Sequence, residues 1–279
     1  MSCSEENKPR ITQDGKDAEI FFPGIPHMGF DRTGHLSVWA LARIFEAARH
    51  FLLQKHGHLD FPMIYKDNTT FFIVAEIFEF TQKIHTNIRK LEPFPTSFTV
   101  SAFHIGSSSI TLLVNMTNSK THEWLGRNKV KIVAADRNTH RSIKLPEWYQ
   151  DKYGHIQAEL AHRLEKQTRP DTPPNHFTRT ETVRYSDLDH QGHVNHAHYI
   201  RFLMDCATEA SFSGRLSSFR GDLCSYAVQK VQIEYLGESG FNDELLISLW
   251  ENLNNTTYLH FSIEKKGQRI VYAEISFHL

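Results

Sequence analysis

The sequence predicts an α+β fold in which one structural unit occurs twice, each copy an antiparallel β-sheet wrapped around a central α-helix. Three observations lead to this prediction. An amphipathic helix pattern begins at Ser37, β-rich segments follow it, and the same order returns in the second half of the chain. With 279 residues, 40% of them hydrophobic, the chain is long enough to bury two cores.

The first copy is predicted to open with a strand from Ala18 to Phe22. The side chain of Ser37 can cap the following helix, and Gly57 can end it. Apolar residues recur there at helical spacing, so one face of the helix should be buried. The predicted strands after it are Thr69 to Lys83, Phe98 to Ile105, Ser109 to Thr117 and Trp124 to Asp136.

The second copy is predicted to open with a strand from Phe177 to Tyr185, followed by a helix that Asn195 can cap. Its predicted strands are Tyr226 to Leu236, Glu244 to Leu253, Thr256 to Lys265 and Arg269 to Phe277. The pairs Asn254-Asn255 and Lys266-Gly267 are typical of hairpin turns.

Individual residues repeat as well. Three residues before the first helix recur 158 positions later (189 − 31, for example): Asp31, Gly34 and His35 match Asp189, Gly192 and His193. The capping positions Ser37 and Asn195 share this offset. Identical residues at the same strand-to-helix junction predict an internal duplication.

Four segments follow from these patterns. Residues 1–17 are predicted to be a flexible tail, 18–145 the N-terminal unit, 146–175 a helical linker and 176–279 the C-terminal unit. The helical pattern of the linker extends to residue 168, and prolines then end it.

Composition excludes several classes of protein. The net charge of −1 gives no basis for nucleic-acid binding, and no apolar run is long enough to span a membrane. Three cysteines without short spacing, Cys3, Cys206 and Cys224, favour a reducing compartment. The polar N-terminal segment lacks the pattern of a targeting peptide. We therefore expect a cytoplasmic protein.

Polar side chains crowd the loop before the second helix: Asp187, Asp189, His190, Gln191, His193, Asn195, His196 and His198. A helix start offers backbone N–H groups and partial positive charge, which suit an oxyanion. The N–H groups near Gly192, His193 and Val194 are candidate donors. A well-aimed donor of this kind typically lowers the activation barrier by about 3 kcal/mol. Activation of water needs a carboxylate or histidine, for which Asp189, His193 and the later Glu238 are candidates.

Each of these residues also has a simple structural explanation. Asp189 or Asn195 can serve only as a cap, Glu238 can be a surface charge, and His193 can be a hydrogen-bonded structural histidine. Only their combination indicates a catalytic site.

Four segments carry a resemblance to a known family. RYSDLDHQGHVNHAHYI closely resembles the catalytic loop W-S-D-x-D-x-N-x-H-V-N-N-x-x-Y-I of the acyl-ACP thioesterases, and EYLGESG resembles their E-Y-R-R-E-C-G. In the first half, GFDRTGHLS and ADRNTHRSIKLP resemble G-x-D-R-T and M-N-x-x-T-R-R-x-x-x-x-P. The resemblance spans roughly residues 19–279 and implies a double hot-dog fold that hydrolyses a fatty-acyl thioester.

The resemblance assigns catalytic positions to Asp189, Gln191, His193, Glu238 and Ser239. Gln191 stands where the family has asparagine, so its amide lies one methylene further out, a displacement that can change rates. Ser239 stands where the family has cysteine, which argues against a cysteine nucleophile. Carboxylates and His193 would then activate water. Either Asp189 or Glu238 can be the base, and we expect substitution of each to reduce hydrolysis.

Further residues are predicted to bind substrate: Gly192, Val194 and Asn195 at the loop, and Trp39 and Phe45 on the first helix, where the family shapes its acyl pocket. Trp39 and Phe45 can equally be core residues. The first copy is not expected to hold a second active site, because Thr33 replaces Gln191 and Ser37 replaces Asn195.

Three alternatives stay open at this point. The histidines near His193 can be read as metal ligands, although His196 and His198 do not share a helix face, and we expect no metal and no cofactor. A hot-dog dehydratase and a non-catalytic acyl-binding protein are the others. The expected substrate is a fatty-acyl thioester on acyl carrier protein or coenzyme A, and the protein is expected to be a monomer or a homodimer.

Overall fold

The computed structural model describes residues 9–12, 15–65, 68–88, 94–158, 164 and 169–278. The strands are β1 (Arg10–Ile11), β2 (Asp17–Phe22), β3 (Thr69–Phe80), β4 (Thr96–Ile105), β5 (Ser109–Asn118), β6 (Trp124–Asp136), β7 (Phe177–Thr182), β8 (Ala227–Tyr235), β9 (Glu244–Asn252), β10 (Asn255–Lys265) and β11 (Gln268–His278). The α-helices are α1 (Val38–His50), α2 (Phe61–Ile64), α3 (Gln82–Asn87), α4 (Glu147–Tyr153) and α5 (His196–Phe212). Antiparallel pairing and few helices confirm the α+β class.

The chain forms two compact units that interleave along the sequence. The first comprises Met1–Pro26, Ile44–Phe78 and Leu91–Lys166, and the second comprises His27–Arg43, Glu79–Lys90 and Gln167–Leu279. The predicted boundaries at residues 18, 146 and 176 describe successive repeats and stay a prediction.

In the first unit the strands follow the order β1-β2-β4-β5-β6-β3. Alternate residues of β4 are buried, as expected for a sheet with one face against a core. Phe45 of α1 is fully buried there and packs edge-on against Phe78 and Phe98, with ring centroids 6.0 and 5.3 Å apart. These aromatic contacts form the centre of the first core.

In the second unit the order is β8-β11-β10-β9-β7. Helix α5 packs against β7 and β9 and buries 12 of its 17 residues. The predicted cap is confirmed, because Asn195 Oδ1 accepts a hydrogen bond from the backbone N–H of Ala197 at 3.0 Å. A helix buried on most sides has little freedom to move, so the loop that precedes it begins from a fixed point.

Several predicted boundaries were wrong. The strand predicted to reach Lys83 ends at Phe80, because α3 begins at Gln82. The predicted linker helix covers only Glu147–Tyr153, after which Gly154 turns the chain, while residues 159–163 and 165–168 lie outside the described residues. Within the predicted tail, Arg10 and Ile11 pair with β2. The Lys266-Gly267 turn is confirmed, with φ of 52° and 76°.

No helix within the described ranges is both long and apolar enough to cross a membrane.

A carboxylate on β11 should make the free energy of unfolding depend on pH in the acidic range. Glu274 accepts hydrogen bonds from Tyr258 and Tyr272 at 2.6 and 2.8 Å, and His260 Nδ1 lies 3.4 Å away. Burial alone would raise the pKa of Glu274, but the hydrogen bonds from His260, Tyr258 and Tyr272 outweigh burial and lower it to about 2. The ionised group therefore stabilises the fold above its ordinary pKa of 4.5, and this contribution is lost as pH falls from there to about 2.

We expect Glu274→Gln to lower the free energy of unfolding at pH 7 by roughly 3 kcal/mol and to flatten its decline below pH 4.5. Denaturant unfolding at a series of pH values measures both effects. Glu244→Gln, at the exposed start of β9, is the control. An unchanged acid profile in Glu274→Gln would contradict this assignment.

Candidate active site

The loops before α1 and α5 have the same backbone geometry. In the second loop the N–H of Asp189 donates to His193 O at 2.7 Å, and the N–H of Gly192 donates to Asp189 O at 3.1 Å. The first loop repeats both bonds 158 residues earlier, at 2.8 and 3.1 Å. Gly34 and Gly192 both have φ of 82°, a conformation that favours glycine. The predicted duplication is therefore visible in the backbone.

The two aspartates perform the same task in their loops. Asp189 Oδ1 accepts hydrogen bonds from the N–H groups of Gln191 and His193 at 2.8 and 3.4 Å. Asp31 Oδ1 accepts from those of Thr33 and His35 at 2.8 and 3.2 Å. A carboxylate that closes a turn in both loops has a sufficient structural reason to be present.

A histidine and a glutamate meet at the second loop. His193 Nε2 lies 3.0 Å from Glu238 Oε2. The contact depends on the backbone, because the N–H of Val194 donates to Ser239 O at 2.9 Å and so holds the segment after β8 against the loop. The structure thus brings together two predicted residues that lie far apart in the sequence.

The residues of the site differ in their exposure to solvent. The side chains of His193 and Glu238 are 24% and 40% exposed, so water reaches both. Ser239 is only 1% exposed, and its hydroxyl lies 2.7 Å from that of Tyr199. Burial raises the pKa of Tyr199 to about 12, although the hydrogen bond with Ser239 lowers it. This phenol is therefore neutral at ordinary pH.

The other predicted substrate-binding residues are spread more widely. The N–H of Gly192 donates to Asp189 O, and the N–H of Val194 donates to Ser239 O. The N–H of His193 makes the longest hydrogen bond of the three loop groups. Asn195 caps α5. Trp39 lines a cavity of about 190 Å³ in the second unit, whereas Phe45 packs in the core of the first.

A buried ion pair supports the start of α5. Asp187 is fully buried and accepts from Arg201 Nη2 at 2.6 Å and from the N–H of Arg184 at 2.8 Å. His198 Nδ1 lies 2.8 Å from Asp187 O, and burial lowers its pKa, so the ring is neutral. His198 and His193 therefore face different partners.

Sequence reasoning missed two of these residues. Tyr199 was expected only on the apolar side of the helix and Arg201 only as one of several scattered arginines, although both lie on α5 within six residues of its cap. Arg201 follows Asp187 by fourteen residues, and a buried aspartate needs a cation, so the acidic loop itself was the available signal.

Comparison with known proteins shows what the chain is similar to. Residues 172–279 match the family model of the acyl-ACP thioesterase C-terminal domain. An acyl-ACP thioesterase from Bacteroides thetaiotaomicron is 18% identical, with 96% of this chain and 100% of that chain covered and a TM-score of 0.71. A putative oleoyl thioesterase from Lactobacillus plantarum is 16% identical (94% and 96% covered, TM-score 0.72). The 12:0-ACP thioesterase from Umbellularia californica is 14% identical (94% and 97% covered, TM-score 0.70).

A search of curated proteins found no match. At these identities the solved structures show the fold, and the chain has the fold of the acyl-ACP thioesterases. The matched residues 172–279 include His193 and Glu238. The matched C-terminal domain and the shared fold support the predicted family.

The duplicated turn gives a stability test. Asp189→Ala and Asp31→Ala each remove a carboxylate that accepts two backbone N–H groups, so each should lower the free energy of unfolding by about 1 kcal/mol. Asp189→Asn and Asp31→Asn keep an acceptor oxygen and should cost less than half as much. Denaturant unfolding measures all four variants. A cost at only one of the two loops would argue against their equivalence.

Proposed function

We propose that the chain is a fatty-acyl thioesterase of double hot-dog architecture, in which each sheet wraps around its helix and the C-terminal repeat carries out hydrolysis. The observation that carries the proposal is the 3.0 Å contact between His193 Nε2 and Glu238 Oε2 beside the start of α5. A water-accessible imidazole and carboxylate in contact form a unit that can take a proton from water.

Glu238 is the base in this proposal. Its carboxylate is 40% exposed and bonded to a histidine that orients it, whereas Asp189 closes a turn as Asp31 does. Water gives one proton to Glu238 as its oxygen bonds to the acyl carbon. The C–S bond then breaks, and the proton passes to the departing thiolate, which yields a fatty acid and a free thiol.

The carbonyl oxygen needs donors as charge develops on it. The N–H of His193 makes the longest bond among the three loop groups, 3.4 Å to Asp189 Oδ1. We place the carbonyl near this N–H and the side-chain amide of Gln191. Trp39, which lines the cavity of the second unit, is proposed to contact the acyl chain. The donor is proposed to be an acyl group on acyl carrier protein or on coenzyme A.

Two substitutions separate the carboxylates. Glu238→Gln should lower kcat at least about 100-fold, because the amide cannot accept the proton. Asp189→Asn should keep kcat within about threefold, because its oxygen still closes the turn. A thiol-release assay measures both, with Glu244→Gln as the control. Full activity in Glu238→Gln would remove Glu238 from the mechanism, and loss in a folded Asp189→Asn would reinstate Asp189 as the base.

Ser239 should be dispensable for the chemistry. Its hydroxyl is buried against Tyr199 and away from water, so Ser239→Ala should retain kcat within about threefold, the size of a packing effect. Mass spectrometry of the enzyme during turnover should show no acyl adduct on this residue. An acylated Ser239 would replace water attack with a covalent route. Formation of an enoyl product without thiol would instead indicate a dehydratase.

A further inference from the structure

Two exposed aromatic rings stand beside the candidate active site. Tyr185 is 78% exposed and Phe241 is 56% exposed. Their ring centroids lie 5.8 Å apart with planes at 84°, an edge-to-face contact. Two large rings kept in contact with each other and with water are typical of a binding surface.

The rings border a surface cleft that is open to solvent. The cleft is lined by residues from Thr180 to Arg184 together with Tyr185, Phe241 and Asn242. Strand β7 ends the strand order of its sheet, so its outer edge presents backbone groups that no described strand pairs.

The cleft is joined to the candidate active site through the backbone. Phe241 follows Glu238 by three residues, a span of at most about 11 Å. The N–H of Asn242 donates to Val183 O, and the N–H of Val183 donates to Asp243 O, both at 3.0 Å. The segment after Glu238 is therefore fastened to the end of β7, where the cleft begins.

The cleft has one exposed cation. Glu181, which also lines it, pairs with Arg179 (Nη2 to Oε2 at 3.0 Å), and Arg179 Nε lies 3.7 Å from Glu209 Oε2 as well. Arg184 is exposed at the cleft, and a guanidinium suits phosphate oxygens. Aromatic faces stack on nucleobases. Aromatic rings beside an arginine thus match a phosphorylated nucleotide.

We propose that this cleft binds the nucleotide end of a coenzyme A thioester, with the adenine against Tyr185 and Phe241 and a phosphate at Arg184. The inference rests on the proposed function, because a coenzyme A site would determine which thiol leaves in the proposed hydrolysis. The pantetheine arm of coenzyme A would run from the rings along the segment between Phe241 and Glu238.

The test compares an acyl-CoA with the same acyl group on pantetheine, which lacks the nucleotide. Tyr185→Ala, Phe241→Ala and Arg184→Ala should each lower kcat/KM for acyl-CoA about tenfold through KM, and should leave kcat/KM for acyl-pantetheine unchanged. Phe212→Ala removes another exposed aromatic ring, at the end of α5, and serves as the control. Equilibrium dialysis with coenzyme A should show the same loss of affinity without any turnover.

Equal losses on both substrates, or no loss on either, would overturn the nucleotide site. Loss confined to acyl carrier protein substrates would overturn it as well and would assign the rings to a protein partner. If the wild type hydrolyses no thioester, the proposed function fails, and dialysis then decides the cleft by itself. Binding of coenzyme A that is weakened only by the three cleft substitutions would support the site.

Discussion

The candidate active site depends on one backbone hydrogen bond, from the N–H of Val194 to the carbonyl of Ser239. It joins the loop before α5 to the segment after β8. Because the bond fixes both chains, the side chains one residue before each partner, His193 and Glu238, come within 3.0 Å of each other. The turn closed by Asp189 and the cap of Asn195 keep the loop in the shape that this bond requires. Preorganisation of this kind is what makes a pair of ordinary residues useful for catalysis.

The duplicated loop shows which parts of the site are scaffold. Asp31, Gly34 and the backbone bonds around them repeat those of the second loop, yet the first histidine has different neighbours. His35 Nδ1 lies 2.6 Å from Thr33 Oγ1, and its ring stacks on His85 at 3.8 Å. The turn is therefore a property of the repeated fold, whereas the side chains around the two histidines differ.

The sequence predicted those features that depend on local patterns and on the internal repeat. The strand Trp124–Asp136, the cap at Asn195 and the matching loops follow from periodicity, capping chemistry and the common offset. It could not predict that α3 replaces the end of a strand, since Gln82–Asn87 has no strong local signal. Contacts between distant segments, such as Tyr199 with Ser239 or His193 with Glu238, depend on strand register, so the sequence named Glu238 as a candidate without showing that it meets His193.

The pairing of Ser239 with Tyr199 bears on the nature of the nucleophile. A serine attacks only when a base within hydrogen-bond reach removes its proton. The neighbour that the structure gives to Ser239 Oγ is a phenol whose pKa is raised by burial to about 12, which is a poor proton acceptor at neutral pH. The water-accessible carboxylate of Glu238 precedes this serine directly in the chain. Proton acceptance and solvent access thus coincide at Glu238 and are both lacking at Ser239, which favours water as the attacking group.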